Sequence, residues 1–220
     1  MERRIGLGGA VAAAAVLIAG CAGTPVQHRE ATTQAVVELR DAMTATRGQI
    51  ETTLASLITL MNAPPENLPE SYQQYANNVD VIAGQAARMQ TESRRIRQRS
   101  DAWLAAWKES YARISNPELR TLTDRRREQV LRRFDEIEGS LAAAAQAFAP
   151  FVSNLQDVRR VVGNDLSPTA VMAVSGTAAV NNATAGGADA ARALEVTRAD
   201  LDELIEALTT APASGAGGQR

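Results

Sequence analysis

Apolar side chains recur at steps of three and four residues along most of the chain, which is the spacing that keeps them on one face of an α-helix. The clearest run covers residues 72–114, where the two steps alternate for about six heptads. A helix of about 45 residues is roughly 65 Å long and would expose its apolar stripe if it stood alone. The run therefore predicts a long helix that packs against others through a coiled-coil-like seam. The seam positions are Tyr72, Tyr75, Val79, Ile82, Ala86, Met89, Ser93, Ile96, Ser100, Trp103 and Trp107.

Two further stretches have the same spacing and predict a helix on either side of this one. The first helix is expected to begin near Arg29 and to end at NAPPENLPE (62–70), because proline lacks an amide donor. The third helix follows the turn ISNPELR (114–120), where Asn116 can cap the helix and Pro117 suits its first position. Because this turn is short, the second and third helices must lie antiparallel. The apolar positions are Val36, Leu39, Met43, Thr46, Ile50, Leu54, Leu57 and Met61 in the first helix, and Val130, Phe134, Ile137, Leu141, Ala144, Phe148, Phe151, Leu155, Val158 and Val162 in the third.

The last third of the chain is less regular. Pro150 is expected to kink the third helix or to interrupt its hydrogen bonding. VGNDLSP (162–168) predicts a break, after which Asp165 or Ser167 can cap a fourth helix. Residues 170–191 are rich in Ala and Gly, which fits either close helix approach or a mobile segment, and both readings stay open. An apolar stripe returns at Leu194, Leu201, Leu204, Ile205 and Leu208.

These patterns predict an all-α fold: an elongated antiparallel bundle of three to four long helices with coiled-coil character. The bundle is expected over residues 29–210, with the second and third helices as its rod. Residues 211–220 are small, polar and Gly-rich, which is typical of a disordered tail. Trp103, Trp107 and Tyr111 are expected to fill the seam near the turn rather than to form a ligand cage.

The first twenty residues have the layout of a secretory signal peptide. A basic start, residues 1–4, precedes sixteen uncharged residues, 5–20. That apolar run is shorter than the roughly 20 residues that a membrane-spanning helix needs. Residues 1–20 are therefore predicted to be removed from the mature protein.

The only cysteine of the chain, Cys21, ends the sequence Ile18-Ala19-Gly20-Cys21. This sequence resembles the bacterial lipobox, in which the thiol receives a diacylglycerol, the chain is cut before the cysteine, and the new amine is acylated. The resemblance implies lipidation of Cys21 and a lipidated tether over residues 21–28. In Gram-negative lipoproteins an Asp after the cysteine favours the inner membrane, so Ala22 implies an outer-membrane protein that faces the periplasm.

Charge and residue content narrow the possible functions. Removal of residues 1–20 takes away two arginines and one glutamate, so the formal net charge changes from −2 to −3, whereas nucleic-acid binders are usually basic. A single cysteine excludes an intramolecular disulfide and a four-thiol zinc site. The only histidine, His28, lies in the predicted tether without a second histidine or a nucleophile to serve. No catalytic residue, cofactor, metal or small-molecule substrate is therefore predicted.

Arginines cluster in the second and third helices among many acidic residues. The mixture favours a solvated surface with salt bridges, in which residues 95–99 lie beside residues 134–138. The alternative is a basic patch for anionic lipid or an envelope polymer. Asp157 and Asp165 suggest a carboxylate pair, but acid–base catalysis needs a pocket that shifts one pKa, and helix capping or surface ion pairing is the favoured role. The arginines are Arg94, Arg95, Arg97, Arg99, Arg125, Arg126, Arg127, Arg132 and Arg133.

The segment from Trp103 to Leu166 resembles a family of small bacterial lipoproteins and exported proteins, domain of unknown function 2959. The likeness rests on WLAAWKESY (103–111), Asn116 with Leu119-Arg120, the arginine-rich stretch, and then Pro150, Asp157-Val158 and Asn164-Asp165-Leu166. Many members carry Lys-His-Asn-Leu-Asn where this chain has residues 163–167, so the basic pair is lost. The resemblance implies long helices and an envelope location, without an established activity.

The sequence as a whole favours a non-enzymatic role in the cell envelope. A long helical surface, held at the membrane by a lipid anchor, suits interaction with an envelope protein or with a second copy of the chain. The alternative is a module that binds anionic lipid or an envelope polymer through its arginine-rich face. An enzyme acting on cell-wall material would be a third class, although no motif predicts it.

Overall fold

The computed structural model describes residues 24–210. Within them the chain forms five α-helices and no strand, so the all-α prediction is confirmed. The longest helix has 48 residues and spans about 70 Å. Residues 1–23, with the predicted signal peptide and Cys21, and the predicted tail 211–220 lie outside the described residues. The helices are α1 (Pro25–Met61), α2 (Leu68–Tyr111), α3 (Pro117–Asn164), α4 (Pro168–Ser175) and α5 (Ala178–Thr209), with a 3-10 turn at Pro65–Asn67 between α1 and α2.

Helix α1 begins four residues earlier than the sequence pattern predicts. The Thr24 hydroxyl accepts a hydrogen bond from the Gln27 amide at 3.3 Å, and the Gln27 side chain accepts one from the Thr24 amide at 2.8 Å. This reciprocal capping box, with Pro25 in the first turn, starts the helix at once. Residues 25–28, which were predicted to lie in the tether, therefore belong to α1, and the expected helix start near Arg29 was too late.

The predicted caps of two other helices can be compared with the structure. The Asn116 side chain accepts hydrogen bonds from the amides of Glu118 and Leu119, at 2.9 and 3.2 Å, as predicted for α3. For α4, the cap is Ser167, which accepts from the Ala170 amide at 3.2 Å. Asp165 instead terminates α3 in an extended conformation.

Helix α3 continues through Pro150 as one helix. Proline removes its own amide donor from the helix ladder, and its ring crowds the carbonyl four residues earlier. Phe148 and Phe151 on either side are buried, with ring centroids 5.9 Å apart, and they hold both halves against the core. The Asn154 side-chain amide also donates to the Pro150 carbonyl at 2.8 Å.

The four long helices pack antiparallel around one core, and α4 joins α3 to α5. Packing is most extensive between α3 and α5 and between α1 and α2, followed by α1 with α5. Helices α2 and α3 are antiparallel neighbours, as predicted, but they meet over fewer residues. The expectation that this pair forms the main rod is therefore corrected: the rod has four helices, and the α2–α3 side is its least tightly closed face.

Tyr75 supplies the most deeply buried polar contact between α2 and α3. Its side chain is fully buried, and its hydroxyl donates to the Leu155 carbonyl at 2.7 Å. Burial raises the pKa of the Tyr75 phenol far above its usual value, so the group stays a neutral donor at any physiological pH. Tyr72, one turn earlier, donates to the Arg159 carbonyl at 3.3 Å.

The small residues of α5 allow it to approach α3 closely. Close helix approach, rather than a mobile segment, is therefore the interpretation that holds for this part of residues 170–191. Gly186 and Gly187 face Phe151, and a Cβ atom on Gly187 would lie 2.8 Å from Leu54 Cδ1 and 3.1 Å from Phe151 Cε2. The low helix propensity of these glycines is thus offset by packing against the core. Residues 178–191 are part of a continuous helix.

Replacement of Tyr75 by Phe is expected to lower the free energy of unfolding by about 1 kcal/mol, because one buried hydrogen bond is lost while the Leu155 carbonyl keeps its place in the helix ladder. Urea denaturation measures the change. Tyr72→Phe is the matched control and should have a smaller effect, since its bond is longer and its side chain only half-buried. Equal effects of the two variants would contradict this account.

Two glycine substitutions should change stability in opposite directions. Nothing lies within 4 Å of a Cβ atom built on Gly139 of α3, so Gly139→Ala should raise the free energy of unfolding by about 0.5–1 kcal/mol through helix propensity. Gly187→Ala should instead lower it by about 1 kcal/mol, because overpacking against Leu54 and Phe151 outweighs that gain. Thermal unfolding of both variants tests the assignment, and stabilisation by Gly187→Ala would disprove the close approach.

Candidate functional site

The interface between α2 and α3 opens into a groove near its middle. No residue of α2 is buried between Ile82 and Ile96, although buried seam residues recur on both sides of that gap. The opening, which we call the α2–α3 groove, encloses about 670 Å³ and reaches down to Met43 of α1. Its α2 wall is formed by Ala83, Ala86, Ala87, Met89, Gln90, Ser93, Arg94 and Arg97, and its α3 wall by Glu138, Leu141, Ala142, Ala144, Ala145, Phe148, Ala149, Val152, Ser153 and Gln156.

Alanine is the most frequent residue on both walls of the groove, at three of eight positions on α2 and four of ten on α3. An alanine side chain ends at Cβ, so two facing alanine rows leave space that larger side chains would fill. The predicted seam positions Ala86, Met89 and Ser93 are half-buried here, whereas Ser100 is buried further along. From Ala83 to Arg97 the groove extends along about 21 Å of α2.

Charged groups occupy one end of the groove. Arg97 and Glu138 form an ion pair across it, with both side chains more than half exposed. This pair confirms the predicted alignment of residues 95–99 with residues 134–138. Arg94 is exposed, and its guanidinium contacts the Thr91 hydroxyl of its own helix at 3.4 Å. The rest of the lining is mainly apolar, so the groove combines an apolar interior with a polar end.

Aromatic side chains close the hairpin between this groove and the α2–α3 turn. Trp103 is buried, with ring centroids 5.0 Å from Trp107 and 6.4 Å from Phe134. The Tyr111 hydroxyl donates to Asp124, which raises the pKa of the phenol, and Arg120 lies over the Tyr111 ring at 5.7 Å. Trp103 therefore fills the seam, as predicted, and Tyr111 ties α2 to α3.

Many of the clustered arginines are engaged within the chain. Arg95 pairs with Glu92 at 2.9 Å, and Arg133 pairs with Glu203 of α5 at 2.6 Å. Arg126 donates to the Thr210 carbonyl at 3.1 Å, and also to that of Ala207, so it covers the last carbonyls of α5. Arg99 donates to a backbone carbonyl of α1 at 2.8 Å. These contacts support the reading of a salt-bridged helix surface. Arg125, Arg127 and Arg132 lie exposed or half-exposed on α3.

The other residues weighed from the sequence lie apart from the groove. Asp157 pairs with Arg160 at 2.8 Å and is more than half exposed, while Asp165 lies eight residues later at the end of α3, about 12 Å along the axis. The structure does not bring these two carboxylates together in a pocket. His28 lies in the first turn of α1, where its carbonyl accepts from the Thr32 hydroxyl at 2.8 Å.

Residues 24–210 hold no group of three or more histidine, cysteine or carboxylate side chains that could bind a metal ion. In that same stretch, no helix has both the length and the apolar character required to cross a membrane. The predicted lipidation site, Cys21, lies outside the described residues.

The heptad pattern did not by itself predict the groove. It places Ala86 and Ser93 at seam positions too small to fill a core, which marks the α2 wall. The α3 wall was missed, because its outer alanines lie off the seam. The run of four alanines at 142–145 is the signal that would have found it.

The comparison with protein families finds a match over most of the chain. No curated protein and no solved structure is significantly similar to the chain. A family model described as "Protein of unknown function (DUF2959)" matches residues 22–185, which include α1 to α4 and both walls of the α2–α3 groove. That match spans well over half of the chain and bears out the resemblance in the hairpin, so the protein belongs to the DUF2959 family.

Proposed function

We propose that this protein is a lipid-anchored, non-enzymatic component of the cell envelope that holds a partner protein through its α2–α3 groove. Acylated Cys21 would fix it to the outer membrane, facing the periplasm. The α2–α3 groove carries the proposal, because it is a long apolar opening in a bundle whose other faces are closed more extensively by helix packing. Contiguous apolar surface that a folded protein leaves open is a mark of interaction sites and binding grooves.

The dimensions of the groove suit a helix of the partner. A length of about 21 Å corresponds to four helical turns. Alanine walls let another backbone approach closely, while Met43, Leu141 and Phe148 offer an apolar floor for side chains that recur at steps of three and four. The Arg97–Glu138 pair at one end offers charges of both signs, which can set the direction of the bound helix.

A binding role also fits the chemistry of the groove better than catalysis does. Its ionisable groups are Arg94, Arg97 and Glu138, which lie at one end rather than in the apolar interior. Acid–base catalysis needs an ionisable group positioned at the reacting atoms, with its pKa shifted by its surroundings. Lipid anchoring would favour binding in another way, because it confines the protein to the membrane and raises the effective concentration of a neighbouring partner.

The anchor is tested by metabolic labelling with radioactive palmitate. The wild-type chain should incorporate label and fractionate with the outer membrane, whereas Cys21→Ala should incorporate none. Ala22→Asp is the matched control: it should keep the label and shift the protein to the inner membrane. Labelling that survives in Cys21→Ala would refute the lipobox assignment.

The groove is tested by photo-cross-linking in cells. A photoreactive side chain at Ala87 or Ala145, on the two walls, should give one discrete adduct with another envelope protein, and the yield should fall in Cys21→Ala. The control positions Ala45 and Val196, exposed on α1 and α5, should not give this adduct. Adducts only with lipid or with a second copy of the chain would overturn the hetero-partner proposal.

A variant that fills the α2–α3 groove tests whether the cross-linked partner binds inside it. Ala145→Trp should fill part of the opening and lower the cross-linking yield from Ala87 at least about tenfold, which corresponds to a loss of about 1.4 kcal/mol in binding. Val196→Trp, on an exposed position of α5, should leave the yield unchanged. Equal yields from the two tryptophan variants would show that the partner does not enter the groove.

A further inference from the structure

The α2–α3 hairpin extends past the ends of the other two long helices. The Arg99 side chain donates to the Ala31 carbonyl, which aligns α2 with α1. Helix α1 begins six residues before Ala31, whereas α2 continues twelve residues beyond Arg99, so α2 overhangs by about 9 Å. Arg126 marks the end of α5, and α3 begins nine residues earlier, an overhang of about 14 Å. We call residues 107–122 the hairpin tip.

The inner face of the hairpin tip carries apolar side chains that border an opening between the hairpin and the ends of α1 and α5. Leu119 and Leu122 are 54% and 60% exposed, and Val26 of α1 is 53% exposed. With Trp103 and Trp107 they line an opening of about 740 Å³ at this end of the bundle. Three large apolar side chains around one apolar opening form a patch rather than scattered surface residues.

The hairpin tip lies at the end of the bundle where the anchor would enter. Cys21 precedes Thr24 by three positions, and three residues span at most about 11 Å. That reach is similar to the overhang of the hairpin tip beyond the start of α1. If Cys21 carries the lipid, as the proposed function holds, the hairpin tip is brought to the bilayer surface.

The charge of the hairpin tip is compatible with an anionic surface. The hairpin tip has three basic and two acidic residues, so its net charge is +1, whereas the net charge of the whole chain is −2. The basic residues are Lys108, Arg113 and Arg120, and the acidic residues are Glu109 and Glu118. Tryptophan and basic side chains favour the interfacial region of membranes, where an apolar body meets polar headgroups.

We propose that the hairpin tip is a membrane-contact surface, whose occupant is the headgroup region of an anionic lipid bilayer. Val26, Leu119 and Leu122 enter that region, and Trp107 lies at its edge. The proposal rests on the lipid anchor of the proposed function, which would bring the hairpin tip to the bilayer, but it does not involve the α2–α3 groove.

Tryptophan fluorescence tests the contact without the lipid anchor. Both tryptophans of the chain line the opening, so their emission reports on it directly. The chain of residues 21–220 with Cys21→Ser contains every described helix and carries no lipid. Added vesicles of phosphatidylethanolamine and phosphatidylglycerol should shift its emission to shorter wavelength, and lipids brominated on their acyl chains should quench it. Absence of both effects would overturn the proposal.

Matched double variants locate the contact. Leu119→Glu with Leu122→Glu should lower vesicle partitioning at least about tenfold, because two apolar side chains no longer leave water. Ile58→Glu with Met172→Glu, at positions that are 58% and 75% exposed but away from the opening, should leave partitioning unchanged. Circular dichroism checks that both double variants remain helical. Equal losses in the two pairs would overturn the proposal. It would also be overturned if both double variants bound vesicles like the parent and high salt abolished that binding. That second result would assign vesicle binding to the arginine-rich face.

Two measurements on the free protein distinguish other occupants. If removal of residues 211–220 changed the tryptophan emission without lipid, the opening would hold that segment and the proposal would fail. If sedimentation showed a dimer that Leu119→Glu with Leu122→Glu dissociates, the occupant would be a second copy. Cross-linking from Ala87 and Ala145 is independent of these results, so failure of the membrane contact and failure of the groove can be told apart.

Discussion

The volume of the side chains that face the bundle axis determines where the four helices close and where they open. Glycines 186 and 187 let α5 lie close against Phe151, and this contact makes the α3–α5 pair one of the two most extensive in the molecule. On the opposite side of α3, alanines face alanines and half-buried seam residues of α2, and the space between them stays open. Small residues thus have opposite effects: a glycine beside a large ring closes an interface, whereas facing alanines leave a groove.

The sequence predicted the parts of this structure that depend on local chemistry. The alternation of apolar positions gave the buried faces of α1 and α3, and Asn116 with Pro117 marked the start of α3, because a cap and a helix period are properties of neighbouring residues. The start of α1 was placed too late, since a reciprocal hydrogen bond between Thr24 and Gln27 outweighs the lack of an apolar stripe in the first turn. Which helices pair most tightly could not be read from periodicity, because it depends on how side chains from two distant stretches fill the space between them.

The candidate sites were harder to predict than the helices for the same reason. Ala86 and Ser93 are recognisable in the sequence as small residues at seam positions of α2, but the outer alanines of the α3 wall lie off its seam and line a groove only when α2 is placed beside them. Among the charged residues, the sequence indicated a surface of mixed sign. It could not indicate that Arg126 contacts the last carbonyls of α5, or that Arg99 contacts a carbonyl of α1, since both partners are backbone groups of distant helices. An arginine-rich stretch is therefore weak evidence for a basic binding surface when helices pack antiparallel around it.

The groove and the hairpin tip lie on the same two helices at different heights, and this arrangement connects the two proposals. A lipid attached through a few residues would restrict the distance of the bundle from the membrane, but it would leave the bundle free to rotate and tilt. A second contact at the hairpin tip would remove much of that freedom, because the two attachment points lie on different helices. The centre of the groove, near Gln90, is about 30 Å from the end of α2 at Tyr111. A bundle held at both points would therefore present its groove at a defined height and direction, so that a membrane-bound partner pays less orientational entropy on binding.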